Sequence, residues 1–434
     1  MKIRIKPCKG LCGTVTAQPS KNYTTRYLLV SALAEGQSVV RRPAQSDDAH
    51  ALISCLRALG AEIREQGESC LVKGFGRSPR NPGDLNPRNA GAVLRLLLGV
   101  GALLPEARFV TDYPDSLGKR PNQDLLDALK DLGVESESEG GRLPITLRGG
   151  NLHGGKARIS GANSSQYLSS LLFLAPLVGE DVEIEVIHGL KSGALVKTTL
   201  EVMRRAGIRV NAGEDLLHFA IPAGQEYKPG DYEVNGDWPG AAALLSAAAV
   251  CAGSDVTIEG LYEDQQGERA IVNVLKDMGA DIAYDGHRAR IKGGKPLQSA
   301  LFNGDRATDA VLAMAGAASF ARGTSRFYNV DNLRLKECDR ITEPVSELCR
   351  IGVHAEEKRD EIIIHGNPSG YEGGIEVHGR NDHRVIMLLT IVALGTHKGL
   401  TIQGAEHISK SYPDFFRHLE SLGARVEIMQ EEQV

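Results

Sequence analysis

The sequence predicts an α/β protein of two domains, each built from three copies of one βαβαββ-type module. Two observations carry this prediction: a glycine-terminated helix recurs six times at a nearly fixed interval, and a second, more apolar helix precedes each recurrence. A period of about 72 residues sustained over six units indicates one supersecondary module used repeatedly. A chain of 434 residues exceeds one ordinary hydrophobic core, so three modules per domain is the natural partition.

Each glycine stop closes an amphipathic helix and is followed by a strand-like segment. The stops lie 71 to 74 residues apart, and their glycines are Gly60, Gly133, Gly207, Gly279, Gly352 and Gly423. They read R-A-L-G-A-E-I, K-D-L-G-V-E-S, R-R-A-G-I-R-V, K-D-M-G-A-D-I, L-C-R-I-G-V-H and E-S-L-G-A-R-V. A glycine directly after the last periodic residue is typical of a left-handed helix C-cap. The helices that end there, such as residues 52–59 and 271–278, are predicted to face solvent on one side.

The first helix of each module is rich in Ala and Leu and precedes a β-rich segment. Examples are L-L-V-S-A-L-A-E-G-Q-S-V-V and L-L-S-A-A-A-V-C-A-G-S-D-V-T-I-E, which are apolar nearly all round. Helices without a polar face are predicted to be buried. The second module is the least regular, because Pro105 stands where the others have Gly.

Composition excludes several classes of function. The net charge of −5 and the 5% of aromatic residues argue against nucleic-acid binding. The longest small-apolar stretches, residues 241–253 and 385–395, fall short of the ~20 residues that a membrane span needs. Seven scattered cysteines without a C-x-x-C pair are typical of free thiols in a reducing cytosol. We therefore expect a cytoplasmic protein with neither a membrane nor a nucleic-acid partner.

Hydroxyl, amide and cationic side chains recur at the predicted helix starts. They lie in P-S-K-N-Y-T-T-R, N-A-G-A-V-L-R, N-S-S-Q, T-D-A and R-N-D-H-R before first helices, and in G-K-R-P, K-S-G and S-K-S-Y-P before second helices. Helix N-termini bind anions, because their amides are unpaired and the dipole is positive there. Ordinary capping by Ser, Asn or Asp is the alternative. Capping explains the cations poorly, since positive charge opposes the dipole at that end. These cations are Lys21, Arg120, Arg340, Arg384 and Lys410.

The densest charged stretch is N-L-R-L-K-E-C-D-R, residues 332–340. Arg and Lys two or three residues apart can converge on one phosphate or carboxylate. Glu337 among these cations is a candidate proton carrier. A solvated charged turn is an equally good interpretation of this stretch taken alone. In N-D-H-R, the adjacent Asp382 and His383 cannot face one another within a helix turn, so His383 is expected to orient the loop or a ligand.

Taken together, these repeats and motifs resemble the enolpyruvyl transferases over the whole chain. The most specific parts are S-K-N-Y-T-T-R, N-A-G, K-R-P, S-S-Q, N-L-R-L-K-E-C-D-R, N-D-H-R and S-K-S-Y-P-D. The resemblance implies two inside-out α/β barrels, six βαβαββ repeats in total. It places residues 20–235 in one domain and residues 1–19 with 236–434 in the other, with the active site in the cleft between them. Residues 227–240, rich in Pro and Gly, are the mid-chain boundary that the sequence itself indicates.

Within that family the motifs are similar to those of the branch that acts on shikimate 3-phosphate. The resemblance implies addition–elimination chemistry that moves the enolpyruvyl group of phosphoenolpyruvate to the 5-hydroxyl of shikimate 3-phosphate and releases phosphate. The reaction belongs to the shikimate pathway of aromatic amino-acid biosynthesis and is the target of glyphosate. No metal and no other cofactor is expected, because Lys and Arg supply the positive charge. The family expectation for the oligomeric state is a monomer.

The resemblance also assigns site residues by matching position. The phosphoenolpyruvate site comprises Lys21, Gly91, Arg120, Gln166, Arg340, Arg384 and Lys410. The shikimate 3-phosphate site comprises Lys21, Asn22, Arg26, Ser164, Ser165, Gln166, Ser192, Asp309, Asn332 and Lys336. Asp309 resembles the proton acceptor at the attacking hydroxyl. Glu337 and Lys21 are the candidates for proton transfer at the methylene carbon and the leaving phosphate.

Three departures from the family pattern bear on affinity and on glyphosate sensitivity. Asn22 stands where Ser is usual, although an amide can still hydrogen-bond a carboxylate or phosphate. Ala92 and Leu96 replace the usual Thr and Pro after N-A-G, and Leu195 stands where many members have Tyr. None of these positions carries the proton transfers of the reaction.

Two alternatives remain open at this point. The sister enzyme that acts on UDP-N-acetylglucosamine carries a reactive Cys in a loop of its N-terminal half, whereas residues 111–121 contain none. A non-catalytic relative is expected to have lost one or more of Lys21, Asp309, Glu337 and Arg384, and all four are present.

Overall fold

The computed structural model describes residues 1–429 and divides the chain into two compact units. The N-terminal unit is Pro19–Val234, and the C-terminal unit is Met1–Gln18 together with the chain from Asn235 onward. Each unit has its own hydrophobic core. No helix within the described residues is long and apolar enough to cross a bilayer.

Helices and strands alternate through both units as follows. The chain begins with β1 (Lys2–Ile5) and β2 (Cys12–Thr16), which belong to the C-terminal unit. The N-terminal unit contains α1 (Lys21–Leu33), β3 (Glu35–Arg41), α2 (Asp47–Ala58), β4 (Glu62–Gln66), β5 (Ser69–Phe75), β6 (Asp84–Leu85), α3 (Gly91–Gly101), β7 (Ala107–Phe109), α4 (Gln123–Lys130), β8 (Glu135–Glu139), β9 (Arg142–Arg148), β10 (Gly155–Gly161), α5 (Ser165–Leu174), β11 (Val182–Leu190), α6 (Gly193–Arg205), β12 (Asn211–Ala212), β13 (His218–Ile221) and β14 (Asp231–Glu233). The C-terminal unit continues with α7 (Trp238–Val250), β15 (Asp255–Glu259), α8 (Ile271–Asp277), β16 (Asp281–Tyr284), β17 (Arg288–Lys292), β18 (Leu301–Asn303), α9 (Val311–Ala318), β19 (Gly323–Tyr328), α10 (Thr342–Ile351), β20 (His354–Lys358), β21 (Glu361–Gly366), β22 (Glu376–His378), α11 (His383–Gly395), β23 (Leu400–Gln403), α12 (Phe415–Ser421) and β24 (Val426–Met429).

Six four-stranded sheets share one topology. Their orders are β14-β3-β5-β4, β6-β7-β9-β8, β10-β11-β13-β12, β2-β15-β17-β16, β18-β19-β21-β20 and β22-β23-β1-β24. In each sheet the first pair is parallel and the other two pairs are antiparallel, as in β6 with β7 and β7 with β9. A parallel pair requires a crossover, which in four of the sheets contains the first helix of the module, as α3 does between β6 and β7. The second helix, such as α4, lies between the antiparallel partners β7 and β9, whereas β8 and β9 form a hairpin. The predicted α/β class with βαβαββ repeats is confirmed.

Three strands complete sheets whose other members lie far away in sequence. In the N-terminal unit, β14 pairs in parallel with β3 and supplies the edge strand that the first module lacks. In the C-terminal unit, β2 pairs in parallel with β15, while β1 lies between β23 and β24. Each unit is therefore completed by strands from an end of its chain: β14 from the end of the N-terminal unit, and β1 and β2 from the beginning of the sequence.

All six predicted glycine stops are left-handed C-caps. The glycine φ angles lie between 83° and 109°. At the first stop, Gly60 N–H donates to Arg57 O at 3.1 Å and Ala61 N–H donates to Leu56 O at 2.9 Å. This pair of bonds defines the Schellman motif, and the other five stops repeat it. The residues after the glycines are Ala61, Val134, Ile208, Ala280, Val353 and Ala424, whose apolar side chains suit the hydrophobic contact of that motif.

Burial separates the two kinds of helix as predicted. Every residue from 22 to 33 of α1, from 238 to 249 of α7 and from 383 to 394 of α11 is buried. The three helices α7, α9 and α11 pack against one another, and α3 packs against α5. The second helices bury one face only; in α4 it consists of Leu125, Leu126, Ala128 and Leu129. The polar starts of the buried helices are thereby held at fixed positions by the core.

Candidate active site

Arg340 is the centre of a buried ionic cluster in the C-terminal unit. Its side chain is 2% exposed and its guanidinium contacts three carboxylates. The nitrogens Nε, Nη1 and Nη2 lie 2.7 Å from Asp382 Oδ2, 3.2 Å from Asp309 Oδ1 and 2.8 Å from Glu337 Oε2. Burial disfavours the charge on Arg340, but the carboxylates outweigh burial and hold the pKa of the guanidinium above its ordinary value. Arg340 is therefore a fixed cation that locates three acidic groups.

Helix starts bring the carboxylates of this cluster together. Asp309 lies in the 3₁₀ helix Gly304–Ala310, directly before α9. Asp382 is the N-cap of α11, where its Oδ1 accepts the Arg384 N–H at 2.8 Å. Because α9 and α11 pack against each other, the two helix starts present Asp309 and Asp382 to the same guanidinium. Asp382 lies 3.8 Å from His383 Nδ1, which is too far for a hydrogen bond.

Two further cations border the cluster. Lys410 Nζ lies 3.3 Å from Glu337 Oε1, so Glu337 is held between Lys410 and Arg340. Arg384 Nη2 lies 3.8 Å from Asp309 Oδ2, and its Nη1 donates to Met387 Sδ at 3.6 Å. The buried Nε of Arg384 has no hydrogen-bond partner among the described residues. Arg384 is thus a buried guanidinium whose donors are poorly used by the protein, a condition that an anionic ligand would relieve.

Glu268 adds a buried acid that no sequence motif indicated. It lies in the 3₁₀ helix Gly267–Ala270, and its side-chain Oε1 accepts the backbone N–H of Asp309 at 3.2 Å. Burial, and next the nearby charge of Asp309, raise the pKa of Glu268 from the ordinary 4.5 to about 7. Glu268 therefore fixes the backbone of Asp309 and places a group that titrates near neutrality beside it.

The charged stretch 332–340 does not form one anion pocket. Arg334 turns instead to Asp339, with Nη1 2.8 Å from Oδ2, and donates to the carbonyl of Lys358 at 2.6 Å. The expectation that the cations of this stretch converge is therefore wrong for Arg334, which ties the turn to a neighbouring strand. Asn332 is buried and Lys336 is half-buried at the beginning of the same turn.

Lys21 is the first residue of α1 in the N-terminal unit. Its Nζ lies 3.0 Å from Asp48 Oδ2, and the two side chains are 13% and 4% exposed. Asp48 lies in the first turn of α2, which packs against α1. The carboxylate offsets the unfavourable position of a cation at a helix N-terminus. No sequence motif indicated Asp48, because its relation to Lys21 depends on the packing of two helices.

Arg26 is a buried cation with no acidic partner within 4 Å in the part of the chain that the structure describes. It donates to Thr199 Oγ1 at 2.9 Å and to the carbonyls of Asn22 at 3.0 Å and Leu195 at 3.3 Å. Burial lowers the pKa of Arg26 to about 10, so the group stays protonated at neutral pH. The bonds to Thr199 and Leu195 join α1 to α6, and the bond to the buried Asn22 lies within α1.

The guanidinium of Arg120 lies directly against Gly91. Gly91 is the first residue of α3, and a Cβ added there would lie 2.7 Å from Arg120 Nη1. Arg120 follows the 3₁₀ helix Leu117–Lys119, is 8% exposed and donates to Ser116 Oγ at 3.4 Å. Glycine is required at this point so that the guanidinium can lie over the start of α3.

Gln166 is oriented by a buried arginine that was not assigned a role. Arg95 Nη1 donates to Gln166 Oε1 at 2.8 Å, and the Arg95 guanidinium lies 5.2 Å from the centre of the Tyr167 ring. With its oxygen engaged, Gln166 presents its amide nitrogen as a donor. Ser164 caps α5 by accepting the Gln166 N–H at 3.2 Å, as the ordinary capping alternative predicts, and Ser165 is buried beside it.

Ser192 occupies a strained backbone position. It is the N-cap of α6 with φ 54° and ψ 46°, in the left-handed region that non-glycine residues avoid. Its side chain is 5% exposed. Strain of this kind concentrates at ligand-binding positions, where the surrounding structure maintains it.

The fold is that of the enolpyruvyl transferases. An enolpyruvyl transferase from Streptomyces tendae matches with a TM-score of 0.81 at 18% identity, covering 98% of both chains. The EPSP synthase from Acinetobacter baumannii matches with a TM-score of 0.81 at 24% identity, covering 99% of this chain and 100% of its own.

The sequence narrows this class to one family. The model of the EPSP synthase (3-phosphoshikimate 1-carboxyvinyltransferase) family matches residues 5–419. The 3-phosphoshikimate 1-carboxyvinyltransferase of Deinococcus radiodurans is 49% identical over 98% of this chain and 96% of its own length. The chain belongs to the EPSP synthase family.

The activity of the chain is accordingly that of a transferase of the shikimate pathway. It transfers the enolpyruvyl group of phosphoenolpyruvate to the 5-hydroxyl of shikimate 3-phosphate and releases phosphate. This step leads to chorismate and the aromatic amino acids. The alternative acceptor UDP-N-acetylglucosamine is not favoured, because the curated relatives carry the shikimate enzyme's name.

Proposed function

We propose that Asp309 and Glu337 carry the proton transfers of this reaction. Four carboxylates lie in the Arg340 cluster, and their accessibility distinguishes them. Asp309 and Glu337 are 19% and 10% exposed, whereas Asp382 is fully buried and Glu268 is 4% exposed. Only accessible carboxylates can touch a substrate. Asp382 and Glu268 then act as positioning residues, through Arg340 and through the backbone of Asp309.

In the addition step, Asp309 accepts the proton of the 5-hydroxyl while the oxygen forms a bond to C2 of phosphoenolpyruvate. Glu337, held between Arg340 and Lys410, delivers a proton to the C3 methylene, which becomes a methyl group. In the elimination step, the same methyl group returns a proton to Glu337 and the C2–O bond to phosphate breaks. Lys21 donates a proton to the departing phosphate. The proton that Asp309 took from the 5-hydroxyl returns through solvent to Lys21, so that phosphoenolpyruvate and shikimate 3-phosphate give the enolpyruvyl ether and phosphate, and all three side chains regain their starting protonation states.

The anions of phosphoenolpyruvate are bound by the cations at the helix starts. The proposed set is Lys21, Gly91, Arg120, Gln166, Arg340, Arg384 and Lys410. Arg384 is the member of this set with the clearest structural support, since its buried Nε lacks a hydrogen-bond partner within residues 1–429. A carboxylate or phosphate that accepts from this guanidinium would replace a thioether contact with a charge-assisted hydrogen bond.

Shikimate 3-phosphate is bound mainly by the N-terminal unit. The proposed set is Lys21, Asn22, Arg26, Ser164, Ser165, Gln166, Ser192, Asp309, Asn332 and Lys336. Arg26 supports this assignment, because it is a buried cation without an acidic partner within reach among the described side chains. The strained Ser192 and the oriented amide of Gln166 supply further donors of the kind that phosphate and hydroxyl groups require.

Neither unit contains the whole set, so we propose that catalysis requires both. Lys21, Gly91, Arg120 and Gln166 belong to the N-terminal unit, and the Arg340 cluster belongs to the C-terminal unit. We further propose a monomeric cytoplasmic enzyme that does not bind nucleic acid. The net charge of −5 and the seven free cysteines support this proposal. Light scattering of the purified protein tests the monomer.

A solvent-isotope experiment tests the division of work between the two carboxylates. The reaction is run in D₂O with wild type, Asp309→Asn and Glu337→Gln, and deuterium in the product's methylene is followed by NMR. Wild type is expected to incorporate deuterium, and both variants to slow product formation by 10²-fold or more. Asp281→Asn, an exposed carboxylate on β16, is the matched control with unchanged rate. Product without deuterium from wild type, or wild-type rates in both variants, contradicts the proposal.

A further inference from the structure

Outside the Arg340 cluster, the fifth sheet carries a group of metal-ligating side chains. His354 and Glu356 lie on β20, and His365 lies on β21. The ligand atoms of these three side chains all lie within 4.8 Å of one another. Within residues 1–429 this is the one group of three His, Cys, Asp or Glu side chains that meets that criterion.

The strand register explains why these side chains meet. His354 stands directly opposite His365 in the antiparallel pair of β20 and β21. Directly opposite residues lie on the same face of a sheet, and so do residues two apart on one strand. Glu356 therefore joins the two histidines on the solvent face, while Ala355 between them is buried. The arrangement follows from the backbone pairing and not from a chance approach of long side chains.

The two imidazole rings lie side by side, with one nitrogen of each near the glutamate; a shared ion requires the rings to tilt toward each other. The two imidazole rings stack with centroids 4.1 Å apart and an angle of 23° between their planes. Nε2 of His365 lies 2.9 Å from Glu356 Oε1, and Nε2 of His354 lies 3.6 Å from the same oxygen. Both Nε2 atoms thus lie near the same carboxylate oxygen.

These separations match the edges of a metal coordination shell. Zn²⁺ binds imidazole nitrogen and carboxylate oxygen at about 2.0–2.2 Å, which places tetrahedral ligands about 3.3–3.5 Å apart. The observed 2.9 and 3.6 Å bracket that distance. Two histidines and one glutamate with water in the fourth position are a recurring zinc ligand set.

A fourth residue, on the neighbouring strand, contacts the other ring nitrogen of His365. Thr324 on β19 stands opposite His365 in the register, and its Oγ1 lies 3.0 Å from His365 Nδ1. When Nδ1–H donates to this oxygen, Nε2 is left unprotonated and free to bind a metal. Such an outer partner is a general feature of metal-binding histidines.

We propose that His354, Glu356 and His365 form a binding site for a first-row divalent transition-metal ion such as Zn²⁺, separate from the active site. A bound ion would join the edge strand β20 to β21 and stabilise the C-terminal unit by mass action. Imidazole and carboxylate ligands favour transition metals over Mg²⁺, which prefers oxygen ligands alone.

Isothermal titration of the metal-free protein with ZnCl₂ at pH 7.5 tests the proposal. Wild type is expected to bind one Zn²⁺ ion. In both His354→Ala and Glu356→Gln, the affinity for this ion is expected to fall by at least tenfold. His397→Ala, an exposed histidine elsewhere in the C-terminal unit, is the matched control and keeps the wild-type isotherm. Turnover is expected to stay unchanged in all three variants, since none touches the Arg340 cluster.

Two results would overturn the site. One is the absence of saturable Zn²⁺ binding to wild type. The other is an identical isotherm for wild type and both ligand variants, which would assign the bound ion to other groups, such as the exposed thiols Cys12 and Cys349. Because Glu356→Gln keeps the shape of the side chain, a fall in affinity in that variant cannot be attributed to misfolding of the edge strand.

Discussion

Glu268 Oε1 accepts the backbone N–H of Asp309 at 3.2 Å, and it does so from a side chain that is 4% exposed. The hydrogen bond joins the 3₁₀ helix Gly267–Ala270 to the 3₁₀ helix that carries Asp309. The proposed acceptor of the hydroxyl proton is therefore placed by a second acid, which itself titrates near neutral pH because burial and the charge of Asp309 raise its pKa to about 7.

Glu268 is expected to make the protein less stable as the pH rises from about 4.5 to about 7. Over that window the folded state keeps a proton on Glu268 that the unfolded state has lost, so the free energy of unfolding falls with rising pH, by up to about 3 kcal/mol. Urea denaturation at pH 5 and pH 7.5 measures this change. Glu268→Gln should show a smaller change than wild type, and an equal change in both would contradict the assigned pKa.

Two substitutions of Glu268 distinguish its role in positioning Asp309 from the effect of its charge on catalysis. Glu268→Gln keeps an oxygen that can accept the Asp309 N–H, so turnover should stay within about threefold of wild type. Glu268→Ala removes the acceptor and lets Asp309 move, and a misplacement of that kind should lower kcat by about tenfold or more. Steady-state assays compare the two; equal losses would show that the hydrogen bond does not position Asp309.

Asp382 is expected to be needed mainly for stability and for the position of Arg340. Asp382→Ala leaves a buried guanidinium without its nearest carboxylate and removes the N-cap of α11, which should cost about 3 to 5 kcal/mol of unfolding free energy. Asp382→Asn keeps the cap and should cost less. Chemical denaturation beside the exposed control Asp281→Asn measures both, and a cost below 1 kcal/mol for the alanine variant would contradict the cluster's role.

Gly91→Ala is expected to impair phosphoenolpyruvate binding without unfolding the protein. The new Cβ would lie 2.7 Å from Arg120 Nη1, so the flexible guanidinium must move while the helix backbone can stay. Loss of one charge-assisted hydrogen bond predicts a rise of about tenfold in KM for phosphoenolpyruvate. Gly150→Ala, whose Cβ meets nothing within 4 Å, is the matched control. An unchanged KM would show that Arg120 is not held over Gly91.

The C-cap glycines allow conformational strain to be measured apart from steric clash. Gly423 has φ 101° and open space around its Cβ position, so Gly423→Ala should cost only the left-handed penalty of about 1–2 kcal/mol. Gly133→Ala should cost more, because its Cβ would also lie 2.1 Å from the carbonyl oxygen of Asn151. Denaturation curves test the order; a cost for Gly423→Ala equal to that of Gly150→Ala would contradict it.

Local signals predicted the repeated parts of the fold well. The glycines at Gly60 and its five counterparts need a positive φ whatever surrounds them, so their spacing could be read directly from the sequence. The burial of the apolar first helices was equally predictable, because a helix without a polar face must be buried. The pairing of β14 with β3 was not predictable in this way, since it joins segments almost 200 residues apart and no local signal in either segment specifies its partner.

The sequence predicted the cations of the candidate site but not the acidic residues that hold them or their neighbours in place. Lys21, Arg120 and Arg384 attracted attention because a cation at a helix start is locally unfavourable. Asp48 and Glu268 lie in ordinary acidic helix starts and acquire their roles only when a second helix packs against them. Arg334 shows the opposite failure: its neighbours in sequence suggested an anion site, but tertiary contacts direct it to Asp339.

Phosphate release from phosphoenolpyruvate and shikimate 3-phosphate tests the central claim, that residues of both units carry the transfer. Wild type is expected to release phosphate only when both substrates are present. Lys21→Met in the N-terminal unit and Glu337→Ala in the C-terminal unit should each lower the rate by at least 10²-fold while the thermal unfolding midpoint stays within a few degrees. Wild-type release rates in both variants would contradict the account.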